Sequence, residues 1–185
     1  MVSFTRCFAS LISSAMLLAA CVQAEGDYGF RIQKVAVSTG YRALNARIDQ
    51  QLSVSEAARS ALEHGVPLTV QLEVELRDAR SLTLLFDDSR RFEIRYLPML
   101  EDYQLIDLHS GTHQAFPRLR HVLRALGDLD VELKTGPLGP GQYELRARSR
   151  IENARLPAPM RLPARFSPQW QHQSEWSTWP FEIGV

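Results

Sequence analysis

Three residues whose types suit metal chemistry stand close together in this chain, Asp107, His109 and His113, with His121 a short way on. A carboxylate and neutral imidazoles can converge on zinc and leave one coordination position open for water. Gly111 lets the intervening chain fold back, so the set would suit a metal-dependent hydrolase. The competing reading is that Ser110-Gly111-Thr112 makes an ordinary turn with solvated histidines around it. Paired carboxylates at Asp87-Asp88, Glu101-Asp102 and Glu73/Glu75 would serve general acid–base work. Adjacent acids in turns are normally just solvated, and Glu73 and Glu75 share a strand face with Arg77. There is no Gly-x-Ser-x-Gly elbow, no phosphate-binding Gly-Lys-Ser/Thr loop, no Rossmann glycine pattern after a strand and no His-Glu-x-x-His helix. No catalytic residue is assigned, and no cofactor is expected.

The most informative polar feature is a row of arginines. Arg146, Arg148 and Arg150 alternate along one strand face, and Arg155, Arg161 and Arg165 follow, with only Glu144 and Glu152 against them in residues 142–165. The guanidinium fork matches carboxylate and phosphate, so the stripe could meet an acidic partner face, anionic lipid or glycan. Pairing with Glu73 and Glu75 across the sheet is the plainer explanation. Trp170, Trp176 and Trp179 complete the candidate partner-binding set. Large aromatics so close together either staple the C-terminus onto the sheet, the favoured reading, or display an aromatic surface.

The elements that must position these residues belong to one modest domain. The chain has 185 residues, 45% of them hydrophobic, with 21 basic and 21 acidic side chains, and this balance gives no global drive toward nucleic acid. Arg6 followed by the apolar run Phe8–Ala20 reads as a secretory signal peptide, too short for a stable membrane span. Two processing sites compete. Leu18-Ala19-Ala20-Cys21 resembles a lipobox, which would remove residues 1–20 and lipidate Cys21 for the outer membrane. Val22-Gln23-Ala24 fits ordinary cleavage after residue 24, which would release a free periplasmic domain of residues 25–185. Cys7 and Cys21 are the only cysteines, so the body holds no disulfide, zinc-cysteine site or thiol nucleophile.

Periodicity along the body predicts an α+β fold, mainly antiparallel sheet with two amphipathic helices. A strand from Phe30 to Val37 slips phase at Gln33-Lys34, predicting a bulge, and forms a hairpin with Leu44–Ile48. Ser53-Val54-Ser55-Glu56 reads as a capping box for a helix that Gly65 and Pro67 stop. Leu68–Leu76 alternates strictly and is the clearest strand. After a polar break near Asp87-Asp88-Ser89 comes a hairpin of Phe92–Tyr96 with Tyr103–Leu108. A second helix around Phe116–Leu126 closes at Gly127, and a strand over Leu129–Leu133 follows. The order β-β-α-β thus recurs, which suggests a duplicated unit. Tyr143–Ile151 is the last regular strand expected, with residues 156–185 a Pro/Trp-rich tail that begins extended.

Several stretches together carry a resemblance: "LSVSEAARSALEHGVPLTVQLEVEL" from Leu52 to Leu76, "ALGDL" from Ala125, "LPAPMRL" from Leu156 and "SEWSTWPF" near the end. With the exported leader, the chain resembles a proteobacterial exported family of unknown function, the DUF4390-like "proline-rich signal peptide proteins". The resemblance brings no activity, cofactor or catalytic residue. It departs at Ser81–Phe86, where the family's segment is richer in tryptophan and basic residues. It also implies an association with a membrane sensor kinase, hence a membrane signalling component as one class of partner. The expectation is a non-catalytic accessory or binding protein of the cell envelope that engages a protein partner. The alternatives are a periplasmic carrier of lipid or a small ligand, using a groove between layers, and, behind it, the metal-dependent hydrolase.

Overall fold

The computed structural model describes residues 28–40 and 42–184; the leader, both cleavage alternatives and Cys21 lie outside the described residues. In chain order the elements are β1 (Gly29–Thr39), β2 (Leu44–Ser53), α1 (Glu56–Glu63), β3 (Leu68–Asp78), β4 (Leu84–Leu97), β5 (Asp102–Asp107) and β6 (His113–Phe116). They continue with α2 (Leu119–Gly127), β7 (Asp128–Leu133), β8 (Gly141–Ile151), α3 (Ala158–Phe166) and β9 (Ser177–Ile183). Every strand pairing is antiparallel. The strands form a small sheet in the order β1-β2-β7 and a large one in the order β6-β5-β4-β3-β8-β9. This is the α+β, mainly antiparallel architecture that the alternation predicts.

Strict alternation buries one face of each sheet. Leu44, Ala46 and Ile48 of β2 meet Leu72, Val74 and Leu76 of β3 and Leu145 and Ala147 of β8, and the space between the layers is filled by these side chains. Toward the other end the same core continues under the helices, where Ala58 and Leu62 of α1 and Val122 and Leu126 of α2 pack with Ile94 and Leu105. The β1 bulge falls between Ile32 and Lys34, as its phase slip predicts. A buried amide crosses the layers: Gln50 donates to the carbonyl of Leu126 at 2.7 Å and accepts from the Ser149 hydroxyl at 2.5 Å.

Local signals decide the helix ends, with two departures from expectation. The cap of α1 is Ser55, whose hydroxyl accepts from the Ala58 amide at 3.2 Å, because Ser53 is taken up in the β2 ladder opposite Gly29. Gly65 adopts φ +83°, the left-handed turn that ends α1. Gly127 does not. A Cβ there would stand 3.0 Å from the Gln50 carbonyl oxygen, so this glycine serves close approach of α2 to β2.

Three larger differences concern helices and strands. Among the described residues there are three helices rather than two: α3 occupies the proline-rich stretch expected to run extended. Pro157 caps it and Pro159 lies in the first turn, where amide hydrogens have no intrahelical partner, so only Pro163 removes a bond. The Asp87-Asp88-Ser89 break lies inside β4, held by the long β3 ladder, where Glu75 opposes Asp87 and Val74 opposes Asp88. The two β-β-α-β runs also differ, since β6 adds a strand before α2. Moreover, β3 enters the large sheet whereas β7 enters the small one, so a duplication is not shown. Among the described residues no helix is long and apolar enough to cross a membrane.

Candidate functional site

The outer face of the large sheet collects the arginine stripe. Arg146, Arg148 and Arg150 point outward from β8 because Leu145, Ala147, Ser149 and Ile151 point in. Register places Arg148 opposite Glu73 and Arg146 opposite Glu75 on β3. Glu73 accepts from Arg148 through both Nε, at 2.9 Å, and Nη2, while its other oxygen pairs with Arg150 at 3.0 Å. Arg150 also donates to the Gln71 side chain at 3.0 Å. Glu75 accepts from Arg77 at 2.9 Å and from Arg146 at 3.3 Å. Above this row, half-buried Trp176 lies under two guanidinium groups, 4.9 Å from Arg146 and 4.6 Å from Arg148. The lattice extends to β4, where Arg91 reaches Glu152 at 3.0 Å and Arg95 reaches Glu93.

These contacts hold the side chains in fixed positions and spend part of their charge. The predicted pairing of the row with Glu73 and Glu75 is what the geometry contains. Chemically the face is a preorganised set of guanidinium forks around an indole, able to recognise planar anionic and aromatic groups.

The remaining predicted partner residues disperse. Trp179 on β9 packs against the core between the sheets, and its buried Nε1 has no hydrogen-bond partner. Trp170 is 8% exposed and belongs to the helical half of the core. The tail is therefore stapled to the sheet, with β9 pairing β8 from Gly141 opposite Ile183 to Ala147 opposite Ser177. Arg161 stands on α3, where its Nε donates to the Leu156 carbonyl at 2.8 Å. Arg150, Arg161 and Arg165 border a groove of about 670 Å³ whose wall includes Trp170 and His172.

Asp107 and His109 line a second recess, about 480 Å³, between β7 and the inner face of β4–β6, while His113 lies exposed on the edge strand β6. Asp107 is a turn residue: it accepts from the His109 amide at 2.8 Å and the Ser110 hydroxyl at 2.8 Å. Burial pushes its pKa up, but the bonds from Ser110 and the His109 amide outweigh this and hold the carboxyl below its ordinary value. Among the described residues no three of His, Cys, Asp and Glu are placed to hold a metal ion, so Asp107, His109 and His113 do not form the cluster their spacing suggested. The turn reading describes them.

His172 is the residue that sequence reasoning missed. It is 1% exposed, its Nε2 accepts from the Ser55 amide at 2.8 Å, and the rings of Tyr28 and Phe30 lie against it at 5.1 and 5.8 Å. Burial lowers its pKa from 6.5 to about 4, partly offset by the Trp170 backbone, though Nδ1 finds no partner within hydrogen-bond distance. A lone histidine between Gln171 and Gln173 carries no sequence signal of such a role.

The family model of a domain of unknown function, DUF4390, matches residues 28–180. The chain belongs to that family. No curated protein matches it.

Proposed function

We propose that this DUF4390 domain is a non-catalytic binding protein of the cell envelope, and that it seats a partner protein on the outer face of its large sheet. The observation that carries the reading is the partly exposed lattice of Arg146, Arg148 and Arg150 around Glu73, Glu75 and Trp176. Arginine and tryptophan are the side chains most enriched where binding energy concentrates. Their mutual contacts leave little conformational entropy to lose on association. Of the paired carboxylates an acid–base enzyme could use, Glu73 and Glu75 are both spent on arginines here, which supports a binding role for this face over a catalytic one. A lipid carrier would need an apolar space between the layers; over β3 and β8 that space is filled by Leu72, Val74, Leu76 and Leu145, and the recess left between β7 and β4–β6 is rimmed by charged Arg90, Asp107, Asp130 and Lys134. The exported leader read from the sequence places the domain in the periplasm or, with a lipidated Cys21, at the outer membrane. A membrane signalling component is the class of partner that the resemblance implies.

The test is in-cell photo-crosslinking from position 176, where an aromatic photoprobe keeps the bulk of the indole, and from exposed Thr178 beside Arg146. A discrete protein adduct from both, absent from control positions Arg59 and Glu63 on α1, is the expected result. Adducts equally abundant at the controls, or none at 176 and 178, would overturn the reading.

A further inference from the structure

The helix α3 is unusual in this fold because it buries so little of itself. Ala164 is its one buried residue and Met160 is partly buried, while Leu162 and Phe166, one turn apart on one face, are 69% and 78% exposed. Arg161 and Arg165, also one turn apart, flank that face, and neither forms an ion pair among the described residues. Arg155, in the helical turn just before α3, reaches Glu93 only at 3.9 Å. Two large apolar side chains bordered along one side by Arg161 and Arg165 on a surface helix match an interfacial segment, in which apolar groups enter the acyl boundary while guanidiniums stay among anionic headgroups.

The rest of the molecule indicates which end carries this property. Exposed Leu82, Leu84 and Leu85 at the β3–β4 turn lie at the opposite end of the large sheet, where Asp78 and Asp87 offset Arg80 and Glu75 engages Arg77. Met99 and Leu100 share the α3 end of the sheet by register, but Glu101 and Asp102 follow them directly. Acidic neighbours oppose an anionic surface, so α3 is the segment that charge favours. Tyr28, where the described chain begins, packs at a tilt against His172 in the segment that returns from α3. Cys21 stands seven residues earlier, so an acyl group there would lie within about 25 Å of chain from this end.

We infer that α3 is a membrane-docking helix that lays Leu162 and Phe166 onto an anionic phospholipid bilayer, with Arg161 and Arg165 meeting its headgroups. The surface adjoins the proposed partner seat at Arg150, which borders the same groove as Arg161, Leu162 and Arg165.

Hydrogen exchange of the full chain, measured with and without vesicles, tests this directly. Vesicles of phosphatidylethanolamine and phosphatidylglycerol should slow amide exchange in residues 158–166 at least about fivefold, whereas phosphatidylcholine vesicles should not. Residues 98–102 serve as the apolar but acidic comparison and should be unaffected. The Leu162→Ser, Phe166→Ser double variant, with unchanged exchange in β3 and β8 to show that it folds, should lose the effect. Arg161→Gln with Arg165→Gln should weaken vesicle partition by roughly tenfold or more. Slowing confined to residues before Tyr28, slowing retained in the Leu162/Phe166 variant, or none at residues 158–166 would overturn the inference.

Discussion

A buried imidazole that accepts a backbone hydrogen bond must be neutral, and at His172 this requirement couples folding to pH. Its folded pKa of about 4 lies below the ordinary 6.5, so the unfolded chain takes up the proton first as pH falls. Stability from this group is complete above about pH 6.5, declines between there and about pH 4, and changes no further below. The full loss is about 3 kcal/mol. Urea unfolding across this range should show that slope, and His172→Gln, whose side-chain oxygen can accept from the Ser55 amide, should flatten it. At Glu73 the expectation is electrostatic. Its carboxylate serves Arg148 and Arg150 together, so Glu73→Gln should cost about 1–2 kcal/mol in chemical unfolding, and Glu56→Gln on exposed α1 close to nothing.

Between elements, the most consequential tie is Gln50. Replacing it with leucine leaves the Leu126 carbonyl and the Ser149 hydroxyl without their partner between the layers. The expected loss is about 2 kcal/mol, read as a lower denaturant midpoint with little change in slope. This scale also shows what the amino-acid pattern could reveal. Leu68 to Leu76 alternate apolar and polar residues, and that period alone places Glu73 and Glu75 outward, so their meeting with Arg146, Arg148 and Arg150 was legible. Gln50 was not: the period that turns Leu44, Ala46 and Ile48 inward also carries position 50 inward, but its partners Leu126 and Ser149 lie far along the chain and no local pattern names them. Nor was α3, where three prolines argue for extended chain and helix formation depends on Pro157 and Pro159 falling where no amide is needed. The Asp87-Asp88-Ser89 segment misled in the same way: the long β3 ladder overrides a turn-like composition.

For the whole molecule, two surfaces differ in how their arginines are held. The outer face of the large sheet holds its arginines in a fixed lattice with Glu73, Glu75 and Trp176, whereas α3 leaves its arginines unpaired beside exposed Leu162 and Phe166. On the proposed account, a domain resting on a bilayer through α3 while its sheet face stays in solution is suited to meet a partner embedded in the same membrane. The most direct measurement of this account compares photo-crosslinks in living cells from position 176 and position 166 of the same chain, with the adducts sorted by mass spectrometry. The account predicts a discrete protein adduct from 176 and phospholipid adducts from 166. Phospholipid at 176, or the absence of any discrete protein there while α1 control positions behave the same, would contradict it.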